Sequence, residues 1–136
     1  VNYDIVRTLL KTQLLTVANL PALQDENTQI APAKGALWSR LSLLTAEPNA
    51  ISVGPNGLDE HQGLAQVDLF YPQGAGTSAS NAMAAAVMAA FPRGFRVMSG
   101  VDNVLTRMVY QQTAYQAESW YVVPVVIRWS SFRTST

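Results

Sequence analysis

Gly63-Leu64-Ala65-Gln66-Val67-Asp68-Leu69-Phe70-Tyr71 is the stretch that decides the fold. Ala65, Val67, Leu69 and Tyr71 fall on one face and Gln66 and Asp68 on the other, the period of a strand with one side against a core. Upstream, Leu37 to Leu44 repeats the pattern, with Leu37, Ser39, Leu41 and Leu43 on one face and Trp38, Arg40, Ser42 and Leu44 on the other. Downstream, Trp120 to Trp129 places Tyr121, Val123, Val125, Ile127 and Trp129 on an apolar face. Pro124 cannot donate to a ladder, so this last strand is expected to have an edge or a bulge there.

Residues 45–62 separate the first two strands, too long a stretch for an inert connection. Within it, Ala50-Ile51-Ser52-Val53 precedes Gly54-Pro55-Asn56-Gly57, and Asn-Gly is a strong hairpin signal. The economical reading is a long hairpin whose arms run past the core, with its tip at Pro55–Gly57. Such an arm buries too little to hold itself and is expected to pack on a neighbour.

Two helices flank these strands. Val6, Leu9, Leu10, Leu14 and Val17 lie on one helical stripe with Ile5 beside it. Asn2 is placed to cap that helix, Asp4 suits its positive end, and Asn19 and Pro21 mark its exit. The second helix opens at Thr77 or Ser78 and runs through about Phe91, with Ala79, Met83, Val87, Ala90 and Phe91 on one face. Pro92 and Gly94 end it. Leu23 to Ile30 reads as a polar edge strand closed by Pro32 and Gly35. Phe95 to Met98 and Val104 to Tyr110 read as strands joined through Ser99-Gly100 and Asp102-Asn103, Gln111 to Ser119 as a polar loop, and residues 130–136 as a C-terminal tail. The fold class is α+β: two helices on one face of a mostly antiparallel sheet, with a long protruding hairpin at about 45–62. A length of 136 residues suits a single domain over 1–136.

Composition narrows the functions. There are no cysteines, so disulfides, thiolate zinc sites and cysteine nucleophiles are excluded. Charged residues are 13%, about half the usual quarter, and nine basic residues balance nine acidic ones. A sequence-independent nucleic-acid binder would concentrate Lys and Arg. Low charge leaves a surface suited to extensive protein contact, as in an assembly subunit. The opening Val1-Asn2-Tyr3-Asp4 has no basic segment leading into an apolar run, so no secretory signal is expected, and no apolar run approaches a membrane span.

Chemistry-bearing constellations are few. Gly74-Ala75-Gly76-Thr77-Ser78-Ala79 fits the G-x-G-x-x-G/A dinucleotide pattern after a strand and before a helix. Pro72 and Gln73 lengthen the turn, however, and no acidic residue follows about 20 positions on. His61, the only histidine, adjoins Asp59 and Glu60, but neighbours along extended chain point to opposite faces, so a solvated histidine at the hairpin base is expected. Arg40, Asp68 and Arg128, on the polar faces of three strands, are candidates for a charge cluster within a subunit or across an interface. Arg93, Arg96 and Arg107 form at most a weak basic surface. Trp38, Trp120 and Trp129 suit packing, and Phe132, read as lying beyond the last strand, is the aromatic candidate for a partner contact.

The order of several pieces resembles the tail terminator-like proteins of long-tailed bacteriophages. These pieces are Trp38-Ser39-Arg40 with Glu47-Pro48 after it, Gly63 through Val67-Asp68-Leu69-Phe70-Tyr71-Pro72, Gly74-Ala75-Gly76, the alanine-rich helix into Phe91-Pro92-Arg93-Gly94, and Trp120-Tyr121-Val122-Val123-Pro124-Val125. The resemblance implies a structural virion protein with no catalytic residue, cofactor or metal. It implies a homo-oligomer, a hexameric ring, on the head-proximal end of the tail tube. Such a ring stops tube polymerisation, offers a docking surface to a neck or head–tail connector protein, and lets genomic DNA pass through its lumen. It places the protein in the virion tail or neck, assembled in the host bacterial cytoplasm, with no membrane partner. Interface residues expected on this reading are Ile51, Val53, Pro55, Asn56, Leu58 and His61 on the hairpin, with Arg40, Asp68, Arg128 and Phe132. The alternatives are another head–tail joining or tail tube subunit and, from a different class, a small nucleotide-binding enzyme using the Gly74–Ala79 turn.

Overall fold

The computed structural model describes residues 3–25, 36–74, 76–99 and 102–134. In chain order the elements are α1 (Tyr3–Leu14), β1 (Ala22–Asp25), β2 (Trp38–Thr45), β3 (Asn49–Ala50), β4 (Leu58–Pro72), α2 (Ser78–Ala90), β5 (Arg96–Ser99), β6 (Asp102–Gln111), β7 (Tyr115–Ala117) and β8 (Trp120–Thr134). The strands form one sheet in the order β1-β2-β4-β8-β6-β5, with β3 on β4 and β7 on β8. The α+β class holds in this form, but the sheet is mixed: β1 runs parallel to β2, and the other pairs are antiparallel.

The backbone of the sheet is the β4–β8 pair, in register from Leu58↔Thr134 to Pro72↔Trp120 without a break. At about 3.3 Å per residue, each 15-residue strand has a contour length of roughly 50 Å. Odd-numbered β4 residues Ala65, Val67, Leu69 and Tyr71 join Val123, Val125, Ile127 and Trp129 of β8 in the buried core. Both helices contribute to that same cluster, α1 through Val6, Leu9, Leu10 and Leu14, and α2 through Ala84 and Val87, with Phe91 just past its end. Each large apolar side chain removed from water in this way is worth roughly 1.5–3 kcal/mol. Polar ties fix the helices further: Arg7 Nη1 donates to the Leu41 carbonyl at 3.0 Å, and Gln13 Nε2 to the Ala90 carbonyl at 2.8 Å.

Helix α1 ends at Leu14, short of the expected exit at Asn19 and Pro21, so Val17 lies in the turns that follow it, and Asn19 sits in the left-handed region at φ 62°. Its expected cap, Asn2, lies outside the described residues, as do Glu26–Ile30 of the expected edge strand and its closing Pro32 and Gly35. The expected face of α2 holds for Val87 and Phe91, which are buried, and for Met83 and Ala90, which pack against the core, but Ser80 and Ala84 are buried as well and Ala79 is exposed. An alanine run offers almost no amphipathic contrast, so periodicity locates such a face poorly. Thr77 occupies the N-cap position without a side-chain capping bond, and its carbonyl instead accepts from Asn81 N at 3.0 Å and Ser80 Oγ at 3.1 Å.

The last strand differs most from expectation. β8 is central rather than an edge, runs on to Thr134 through residues read as a tail, and buries Ser130 and Ser131. Its register with β4 continues through Pro124↔Asp68 with no bulge. Pro124 is tolerated because its other flank is the gap between β7, which pairs with residues 120–122, and β6, which pairs with 125–130. The Pro124 carbonyl accepts from Gln112 N at 2.9 Å, so the proline nitrogen also faces that flank, where no ladder bond is required of it. The bulge lies instead in β6, between Thr106 and Met108. β7 falls within the segment read as loop, and Glu118, at φ 56°, turns the chain from it into β8.

Tyr71 belongs to the buried cluster, and burial pushes its hydroxyl above the usual 10.0. A pKa raised in the folded state leaves the unfolded chain holding fewer protons at high pH, so stability present below pH 10 falls as pH rises past it. Chemical denaturation at pH 9 and pH 11 is expected to show a smaller alkaline loss in Tyr71→Phe than in the natural chain. An equal loss in both proteins would contradict this.

Candidate functional site

Even-numbered residues of β4 and β8 point away from the helix-backed cluster. Register places Trp38, Phe70 and Val122 in one row, Arg40, Asp68 and Pro124 in the next, and Leu44, Leu64 and Arg128 two rows on. Phe70, Asp68, Val122 and Val126 are buried on this face, although they stand outside that cluster. Their cover is local. Trp38 stacks on Phe70 with ring centroids 3.7 Å apart and planes 7° from parallel, and Trp120 meets both rings edge-on. The Arg40 guanidinium lies 5.2 Å from the Phe70 ring centre and binds Asp68 Oδ2 at 3.1 Å. Gln66 Nε2 donates to the other carboxylate oxygen at 2.8 Å.

This geometry divides the expected charge cluster. Arg40 and Asp68 are partners, with Asp68 only 2% exposed and both its oxygens engaged, so Asp68 positions Arg40 rather than meeting a partner itself. Arg128 lies two rows away, exposed and outside this pair. Sequence reading missed Phe70 as the centre of the aromatic group. The available signal was Trp38 and Phe70 each standing on the polar face of its strand. Leu44, Met108 and Tyr115 also project exposed from the even face.

The second feature is the segment from Thr45 to Leu58. β3 pairs with β4 through Asn49↔Glu60 and Ala50↔Asp59, carrying the pairing beyond β2. The turn is a defined one, with Gly57 N donating to Gly54 O at 3.1 Å, so that Pro55 and Asn56 are its central residues. The expected tip position holds, but Asn56-Gly57 is not itself the two-residue turn. Below it, Leu58 O accepts from both Ile51 N (2.7 Å) and Ser52 N (3.2 Å), while Leu58 N donates to Ser52 Oγ at 2.7 Å. This hydrogen-bonded tip exposes Val53 completely, together with Ile51, Pro55, Asn56 and the edge of Leu58.

Gly57 is buried within the turn, and a Cβ there would run into the Ser52 carbonyl. Gly57→Ala is expected to loosen the tip locally, with little effect on global stability because no residue of the tip belongs to the helix-backed core. Amide exchange should accelerate at Ile51, Ser52 and Leu58 alone. Unchanged protection there would contradict the close approach.

The other candidates are less free than the sequence suggested. His61 is half buried in β4 opposite Ser131, not a solvated side chain. Phe132 lies within β8, half buried beneath Arg107, whose guanidinium sits 5.7 Å from its ring centre. Arg107, next to the β6 bulge, also binds Glu60 Oε2 at 2.7 Å and Ser130 Oγ at 2.6 Å. It therefore ties the base of the β3–β4 arm to the rest of the sheet.

Gly74 and Gly76 occupy positive φ at 85° and 79°. The preceding strand, β4, has antiparallel neighbours on both sides, so the parallel βαβ setting of a dinucleotide turn is absent around it. Among the described residues no three His, Asp or Glu side chains gather as a metal site, and no helix is long and apolar enough to cross a membrane.

The sequence matches the family model of the phage tail terminator protein over residues 5–129. The chain belongs to the phage tail terminator family. The family is a structural one, and membership makes this protein a structural component of the phage tail. No curated protein matches the sequence. Among solved structures, one superposes on the terminator with a TM-score of 0.74 at 20% identity, covering 96% of this chain and 95% of that one, which shows a shared fold.

Proposed function

We propose that this terminator forms a ring on the head-proximal end of the tail tube, ends tube growth, and presents its outer surface to the neck. The observation that carries the reading, beside family membership, is the tip at Ile51–Leu58: an apolar loop held by its own hydrogen bonds yet exposed to water. A loop built this way suits docking, because little ordering remains to be done when a partner covers it. Capping needs no covalent chemistry and no cofactor. One ring face matches the tube end, and the other fails to recruit a further tube ring. The hexamer, a tube or neck protein docked on the faces of the ring, and DNA crossing the lumen without base readout all belong to this reading, as does assembly in the host cytoplasm.

Electron microscopy of the purified protein, alone and mixed with polymerising tail tube protein, separates it from its nearest rival. Single closed rings, and tubes that stop growing once capped, are expected. Polymerisation of the protein itself into long tubes would identify a tube subunit instead. Replacing residues 52–57 by Asn-Gly should leave the fold intact and weaken ring assembly or tube docking.

A further inference from the structure

The base and the tip of the same hairpin carry complementary surfaces. At the base, Ala46, Gln62, Gly63, Leu64 and Arg128 line an open cavity of about 150 Å³ whose walls are almost wholly apolar. A space of that size accommodates a group as large as benzene. The Arg128 side chain on its rim is exposed and forms no ion pair among the described residues. At the tip, Val53 stands fully exposed on a hydrogen-bonded turn. Two carboxylates flank the tip segment, Glu47 before β3 and Asp59 in β4, and neither is paired among the described residues. The hollow is therefore apolar with a cationic rim, and the knob is apolar with acidic flanks.

We infer that the tip of one copy seats in the Ala46–Arg128 cavity of the next, with Val53 in the hollow and Arg128 facing the carboxylates that flank the knob. The two surfaces cannot meet within one chain. The cavity lies at Gln62 and the turn begins at Leu58, four residues along β4, or about 14 Å. A contact between two different patches is heterologous, and it propagates until it closes a ring or runs on as a helix. The inference rests on the ring reading above and names the surfaces that join its subunits. One loop covers less than the roughly 800 Å² per partner of a stable interface, so the knob fixes the register of a larger contact.

The chain has no cysteine, which makes disulfide trapping clean. The variant carrying both Val53→Cys and Ala46→Cys, assembled and then oxidised, is expected to give a ladder of covalent oligomers rising to the ring size on a denaturing gel. Each single variant should give no ladder. Val53 follows Ser52, which bonds to Leu58, whereas Ala46 bonds to Gln62 four residues away along β4, a strand length of about 14 Å against the ~7 Å that a disulfide spans, so trapping reports contacts between copies. In addition, Arg128→Glu should weaken assembly about tenfold with the fold unchanged. Rings that persist in the double-cysteine variant without a ladder would overturn this inference and leave the ring reading standing. Absence of rings in the natural chain, alone and with tubes, would sink the ring reading. A ladder formed even then would keep the contact as that of an open assembly.

Discussion

Trp129→Ala is expected to destabilise the protein by about 3–5 kcal/mol, the usual cost of emptying a buried tryptophan site. Trp129 is fully buried, first in volume among the described residues so enclosed, and belongs to the cluster shared by both helices and the sheet. Tyr3 of α1 meets its ring edge-on at 6.4 Å, so truncation also withdraws an anchor of the N-terminal helix. Against a total stability of roughly 5–15 kcal/mol this loss is large. Urea denaturation should show the midpoint falling by about a fifth or more. Trp129→Phe offers a control: the indole N–H has no partner among the described residues, so phenylalanine keeps most of the packing and forfeits no bond. Its cost should be less than half that of alanine. A loss below about 1 kcal/mol for Trp129→Ala would contradict the burial of this side chain.

Gly63→Ala tests the same place from the opposite direction. Gly63 pairs with Thr45 of β2 and Trp129 of β8. A Cβ there would collide with the Leu44 carbonyl and stand 3.0 Å from the Trp129 ring. The indole has room to give only at the expense of its own packing, and the carbonyl belongs to a backbone that must shift. Overpacking of this kind costs about 1–3 kcal/mol, and the backbone clash puts this case at the upper end. Because the two sites touch, Gly63→Ala combined with Trp129→Ala should be less destabilising than the sum of the two separately. Strict additivity would show that the ring and the glycine do not constrain one another.

The legible part of this fold was the part with a strong period. β2, β4 and the odd face of β8 alternate cleanly, and α1 carries a single apolar stripe, so those faces were read correctly. The centrality of β8 was also written in the sequence, because Val122, Pro124 and Val126 make its even face apolar too, and strands buried on both faces read as continuous apolar runs. Pro124 carries the opposite signal, and only the gap between β6 and β7 explains how a central strand accommodates it. On α2, the positions of Ala79 and Ala84 are illegible for a different reason, since the two are chemically identical and only packing distinguishes them. At the surface, charge alone could not separate Arg40, held by buried Asp68, from exposed Arg128, because that difference is one of strand register. The tip residues were legible from chain length and turn chemistry. The Arg107 tie to Glu60 was not, because it spans 47 positions and depends on a bulge.

The capping role is tested most directly by electron microscopy of particles from a phage carrying a nonsense mutation in the gene for this protein. The account predicts tails of irregular, excessive length that lack heads. Tails of normal length joined to heads would contradict it, and normal-length tails without heads would assign the protein to joining rather than to termination.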